Sequence, residues 1–160
     1  MKKSLAVVLG LMSASVFAST AADQPTQPVQ QKDTRPMLKF GIFDKSNKVA
    51  SEVAGNELSL SKKNLELCWV AFNMPLEDKV NVIEVIKSPK KAKFSSNSGT
   101  GINSSADGLN HVITETLASY NREAVERCWK FTKEDPLGHY QFDIQVGNIK
   151  YPTQSFELVK

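Results

Sequence analysis

Few residues in this 160-residue chain belong to types that do chemistry, and they are widely spaced. Cys68 and Cys128 are the only cysteines, and each is followed by a tryptophan, Trp69 and Trp129. No C-x-x-C pair is present, so a redox motif is not expected. Two such residues fit one disulfide in an oxidising compartment. His111 and His139 are the only histidines, and neither stands in a metal-ligand pattern with cysteine, carboxylate or a second histidine. A metal site is therefore not expected, and nothing in the sequence asks for a cofactor. Serines near His111 could meet it in space as a Ser-His-Asp set, yet no G-x-S-x-G occurs and no catalytic residues are assigned. Gly99-Thr100-Gly101 lacks the lysine and following helix of a phosphate-binding loop.

The strongest local signal is electrostatic. Lys87, Lys90, Lys91 and Lys93 fall within seven residues, with Phe94 beside them. Such a patch can meet an acidic protein, lipopolysaccharide or an anionic wall polymer, and these five residues are the candidate partner-binding set. The same lysines would also serve as a solvated connection that keeps the domain soluble.

The elements that must position these residues begin after an export signal. Lys2 and Lys3 precede an apolar run from Leu5 to Phe17, followed by small residues around Ala18 and Ala21. This is the layout of a cleaved secretory signal peptide over 1–21, too short to be a comfortable membrane span. No cysteine lies near the cleavage point, so a lipid anchor is not expected. Residues 22–36, rich in glutamine and proline, read as a disordered leader. Removing the signal leaves 18 basic against 17 acidic residues. That balance and export together argue against a nucleic-acid partner. The expected location is periplasmic or secreted, with no transmembrane segment in the mature form.

Residues 37–160 then form one domain of alternating strands. Leu38, Phe40 and Ile42 mark the first, and Leu58 and Leu60 hint at a short one. Leu65 to Asn73 is apolar on both faces and reads as central. Val80 to Ile86 follows, its alternation slipping between Val82 and Ile83, which suggests a bulge or two-sided burial. The serine and glycine tract 95–108 reads as a flexible loop. Residues 111–120 are ambiguous: Ile113, Leu117 and Tyr120 suit a short helix, whereas Val112, Ile113, Thr114 and Thr116 favour a strand, the preferred reading. Around Cys128 the alternate face is polar, with Glu126 and Lys130, so the twin Cys-Trp strands should pair within one sheet. Their sulfurs would share one face and their tryptophans the other. A bridge from Cys68 to Cys128 closes about 60 residues, worth about 4 kcal/mol in the chain-entropy model. Tyr140, Phe142, Ile144 and Val146 alternate cleanly after the turn Asp135-Pro136-Leu137-Gly138. Gly147-Asn148 then makes a two-residue hairpin into a last strand with Phe156 and Leu158 inward, which Pro152 should confine to an edge.

The spacing of Asp135, Gly138 and Tyr140 ahead of that strand resembles the tyrosine corner of immunoglobulin-like sandwiches. The resemblance implies an all-β, two-sheet sandwich of seven or eight strands, of the bacterial envelope type, with the tyrosine hydroxyl bonded to nearby backbone. Phe142 stands where antibody domains carry a cysteine, so their inter-sheet disulfide is not implied. These features fit a non-enzymatic, exported interaction module binding a protein partner in the cell envelope: an immunity or inhibitor protein, an accessory chaperone or an adhesin component. The alternative is a domain that binds a glycan or another anionic envelope polymer.

Overall fold

The computed structural model describes residues 35–96 and 99–160. The expected signal peptide and leader fall outside them, apart from Arg35 and Pro36. The described residues form strands β1 (Met37–Asp44), β2 (Ser51–Val53), β3 (Glu57–Ser59), β4 (Leu65–Phe72), β5 (Lys79–Lys87), β6 (Gly101–Ser104), β7 (Asn110–Ala118), β8 (Ala124–Trp129), β9 (Gly138–Val146), β10 (Ile149–Lys150) and β11 (Gln154–Val159). They make a β-sandwich of two sheets. One sheet has the order β2-β1-β4-β8; the other runs β3-β11-β9-β5-β7-β6, with β10 paired to β9. Eleven strands replace the expected seven or eight because β2, β6 and β10, at two to four residues each, are too short to carry a period-two signal, whereas the short strand expected near Leu58 forms as β3. Among the described residues no helix is long and apolar enough to cross a membrane.

The core lies between the sheets. Ile42, Leu67 and Trp69 from one sheet meet Ile86, Phe142, Ile144 and Phe156 from the other, all essentially inaccessible to solvent. β4 is the central strand its two apolar faces demand, flanked by β1 and β8. Residues 110–118 form a strand paired along its whole length with β5, so no helix forms near 111–120. Branched Val112, Ile113, Thr114 and Thr116 suit the pleated backbone, and Ile113 is buried at the inward phase.

Two further expectations are corrected. Part of the tract 95–108 is ordered, because β6 pairs with β7 and the Asp107 carboxylate accepts the Leu109 N–H at 2.9 Å to close the connecting turn. The C-terminal strand is not an edge along its length: β11 pairs antiparallel with β9 and, over Glu157–Val159, parallel with β3. Pro152 precedes β11 and costs the ladder no donor.

The corner ahead of β9 is formed as the resemblance implied. The Tyr140 hydroxyl donates to the Pro136 carbonyl at 2.8 Å, and its ring stacks on Phe156 in the core. Gly138 enters the strand at φ +130°, where an added Cβ would press on the Pro89 ring at 3.0 Å. Tyr140→Phe keeps the ring but leaves the carbonyl without this donor, so a loss of about 1 kcal/mol is expected in urea melts. A loss under about 0.3 kcal/mol would mean that solvent replaces the bond.

Candidate functional site

The twin Cys-Trp segments meet as their spacing predicts. Cys68 faces Cys128 across β4 and β8, the two are disulfide-bonded, and their Cα atoms are 4.1 Å apart. The bridge therefore lies within one sheet. Alternation turns Trp69 and Trp129 to the opposite, inward face. There both indole N–H groups donate to one oxygen, Oε1 of Glu84 on β5, at 2.7 and 2.9 Å. Glu84 is wholly buried. Its Oε2 lies 3.3 Å from the Arg127 guanidinium, which also pairs closely with Glu115 and stacks over the Trp129 ring at 4.2 Å. Burial pushes the Glu84 carboxyl above the ordinary range, while Arg127 and the two indoles pull it back. This carboxylate clamps the two sheets together.

Sequence reasoning missed Glu84. The apparent slip in β5 is neither a bulge nor two-sided burial: the register with β7 and β9 is unbroken, and Val82, Glu84 and Ile86 all point inward. A glutamate in the inward phase of an apolar run, opposite two inward tryptophans, was the available signal.

Above the clamp runs the basic segment, held down at several points. Ser88 N–H donates to the Leu109 carbonyl at 2.9 Å and Ala92 N–H to Gly108 at 3.0 Å. Ala92 is buried and Phe94 points inward, packing edge-on to His111, Trp129 and Phe131. Lys91 and Lys93 consequently face outward on a fixed backbone. With Lys130 across the way they line an open groove of about 560 Å³, floored by Phe94, Trp129 and Phe131. Glu134 and Asp135 stand at one rim, and the Asp135 carboxylate is already engaged by the Thr132 N–H at 2.7 Å. A second groove, of about 310 Å³, shares Lys130 and Phe131 and adds Lys62 and Lys63. Five lysines thus follow one end of the sandwich, three of them, Lys62, Lys63 and Lys130, distant in sequence from the segment that drew attention. Of the candidate set, Lys91, Lys93 and Phe94 reach the groove. Lys87, at the end of β5, and Lys90, whose carbonyl accepts the Ser88 hydroxyl at 2.7 Å, are exposed but do not line it.

His111 is buried, with Ser104 Oγ 2.8 Å from Nδ1 and Ser88 Oγ 3.5 Å from Nε2. Desolvation lowers its pKa, opposed by a backbone hydrogen bond and by Asp107. The serines and the histidine do meet, but the Ser88 hydroxyl is committed to the Lys90 carbonyl and Ser104 does not line the lysine groove. The arrangement staples β6 and the basic segment to β7. His139 lies exposed on β9, 3.6 Å from Glu157. Among the described residues, one cluster has ligand-type atoms close enough to hold a metal, Glu66 with Cys68 and Cys128, and both its sulfurs are bonded to each other.

Comparison with known proteins gives a full-length relative and partial structural likenesses. The uncharacterized protein PM0630 of Pasteurella multocida (strain Pm70) is 26% identical over 162 residues, covering 100% of both chains. An immunoglobulin-like protein from Pseudomonas aeruginosa superposes with a TM-score of 0.47 at 13% identity, over 76% of this chain and 91% of that one. The alkylpurine DNA glycosylase AlkC of Pseudomonas fluorescens gives 0.39 at 12% identity, over 78% of this chain and 30% of that one. Likenesses this distant say nothing of what the chain does. The PM0630 beta sandwich domain matches residues 38–159, and the chain belongs to that family.

Proposed function

We propose that this domain is a non-enzymatic, exported interaction module that captures an acidic segment of a protein partner in the cell envelope. The lysine-rimmed groove carries the reading. Lys91, Lys93 and Lys130 converge on one concave surface whose floor is aromatic, and the backbone bearing two of them is pinned by hydrogen bonds to the β6–β7 turn. Positive potential in a cleft with low-dielectric walls concentrates anionic partners. Phe94 is half-buried and Trp129 buried, so neither ring lies flat to solvent as a sugar-stacking platform would. That favours a protein segment over a glycan.

Affinity capture from envelope extract at low and high salt, with Lys91→Ser/Lys93→Ser/Lys130→Ser alongside, tests this. One stoichiometric protein should be retained at low salt and weakened by salt, as charge pairing requires. The variant should lose it at least tenfold while its melting temperature stays within about 2 °C, since exposed lysines contribute little to stability. Undiminished capture by the variant would remove the groove from the proposal. Retention of purified wall polymer alone would favour the anionic-polymer reading.

A further inference from the structure

We infer that the acidic segment binds as an added β-strand on the free edge of β8, an inference that rests on the interaction-module reading above. β8 is the last strand of its sheet and pairs with β4 on one side only. In an antiparallel ladder, directly opposed residues alternate between hydrogen-bonded pairs, with Cα atoms near 5.5 Å, and non-bonded pairs near 4.5 Å. Cys68 and Cys128, at 4.1 Å, are a non-bonded pair. Counting outward, Val125, Arg127 and Trp129 spend their backbone groups on β4. Those of Ala124, Glu126 and Cys128 point away from it. Ala124 tests this phase independently: its carbonyl accepts from Tyr120 N–H at 2.7 Å and its N–H donates back at 3.3 Å, both on the outer side.

Beside that bridge the Tyr120 hydroxyl donates to the Glu126 carboxylate at 3.1 Å, and the Arg127 guanidinium donates to Ser96 Oγ at 3.1 Å. Among the described residues no other backbone hydrogen bond of the turns or loops reaches Glu126 or Cys128. β8 carries the charges of Glu126 and inward Arg127 but has no proline and no bulge against β4, and its register is continuous from Leu67↔Trp129 to Phe72↔Ala124. The disulfide and the Glu84 clamp hold it rigid, which lowers the ordering cost of accepting a strand. The edge leads directly into the groove, because Trp129 and Lys130 continue β8 into its lining. A strand laid along Glu126 and Cys128 would run its end between Lys130 and the Lys91–Lys93 segment. Main-chain bonds would supply affinity, and the lysines would select acidic side chains.

The probe is a nine-residue peptide of alternating valine and glutamate, compared with the same peptide N-methylated at every residue so that neither edge can donate a hydrogen bond. Amide exchange is followed by NMR on the full mature domain. The peptide should slow exchange at Glu126 and Cys128 at least tenfold and shift Lys91, Lys93 and Lys130. The N-methylated peptide should bind at least tenfold more weakly. Glu126→Pro should also lose binding yet keep the disulfide and the melt, because the N–H it removes does not serve β4. Glu126→Ala should retain binding. If Glu126→Pro instead melts early, exchange on the unmodified domain decides. Shifts at the lysines without protection at Glu126 and Cys128, or equal binding of both peptides, would overturn strand addition and leave the acidic groove standing. No binding of either peptide at low salt would sink both readings. Protection of Glu126 and Cys128 that grows with protein concentration alone would assign the edge to a second copy of this chain and overturn the inference.

Discussion

Glu84→Leu is expected to destabilise the domain by about 3–5 kcal/mol, the range for removing one partner of a buried, hydrogen-bonded charge cluster. The substitution fits the apolar alternation of β5, and propensity alone would favour it. What it removes is the acceptor shared by Trp69 and Trp129, leaving two buried indole N–H groups unpaired. Each such orphan costs about 1–3 kcal/mol. Arg127 keeps Glu115 but loses its inward partner. Urea unfolding with an unchanged m-value would measure the loss as a shift in midpoint. A variant within about 1 kcal/mol of the parent would show that the indoles find other acceptors when the carboxylate is gone.

Glu84→Gln separates the acceptor from the charge. The amide oxygen can still serve both indoles, and the ion whose burial is unfavourable disappears, so the loss should stay near 1 kcal/mol. The raised pKa of Glu84 gives the comparison a pH signature. In the unfolded chain the carboxyl releases its proton near 4.5, whereas the folded protein holds it to higher pH. Between those points the folded state binds more protons, so the stability contributed by this group is complete below 4.5 and declines as pH rises through the folded value. The stability of the parent minus that of Glu84→Gln should therefore fall as pH is raised from 4 toward neutrality. A difference that rises instead would mean that Arg127 and the indoles outweigh desolvation.

The fold was legible because its long strands alternate. β1, β9 and β11 each announce an inward face, β4 announces a central place by being apolar on both faces, and the turn before Tyr140 announces the corner. β5 was legible as a strand and misread in phase, for a physical reason: hydrophobic patterning assigns a glutamate to solvent. Only the pairing of that carboxylate with two indoles and an arginine from the other sheet makes its burial affordable. Of the short strands only β3 was hinted at, by Leu58 and Leu60; β2, β6 and β10 were invisible because two to four residues cannot establish a period. The candidate site was half legible. Lys91, Lys93 and Phe94 stand in an obvious basic run, but Lys130, Lys62 and Lys63 join them only through the fold, when the chain after β8 and the β3–β4 connection come to the same end of the sandwich. Lys87 and Lys90 belong to the run in sequence and not to the groove in space. Alternation along the 91–94 segment, which turns Ala92 and Phe94 inward, decides which cations can act together.

Removing the disulfide with Cys68→Ala/Cys128→Ala should cost about 4 kcal/mol, the chain-entropy value for a closure of this length. That is a large part of the 5–15 kcal/mol that domains usually have. The loss should also have a location. β8 is bonded to the sheet by β4 alone, so without the covalent link its amides depend on one ladder and on the clamp through Trp129. Hydrogen exchange at Val125 and Arg127 should accelerate more than at the amides of β5, which is paired on both sides. Because the bridge and Glu84 both hold β8, their effects should couple. Adding Glu84→Leu to the double alanine variant should cost less than the two losses summed, since a strand already detached cannot be released twice. Strict additivity would mean that β8 stays seated without its disulfide, and that the covalent link acts on the unfolded chain alone.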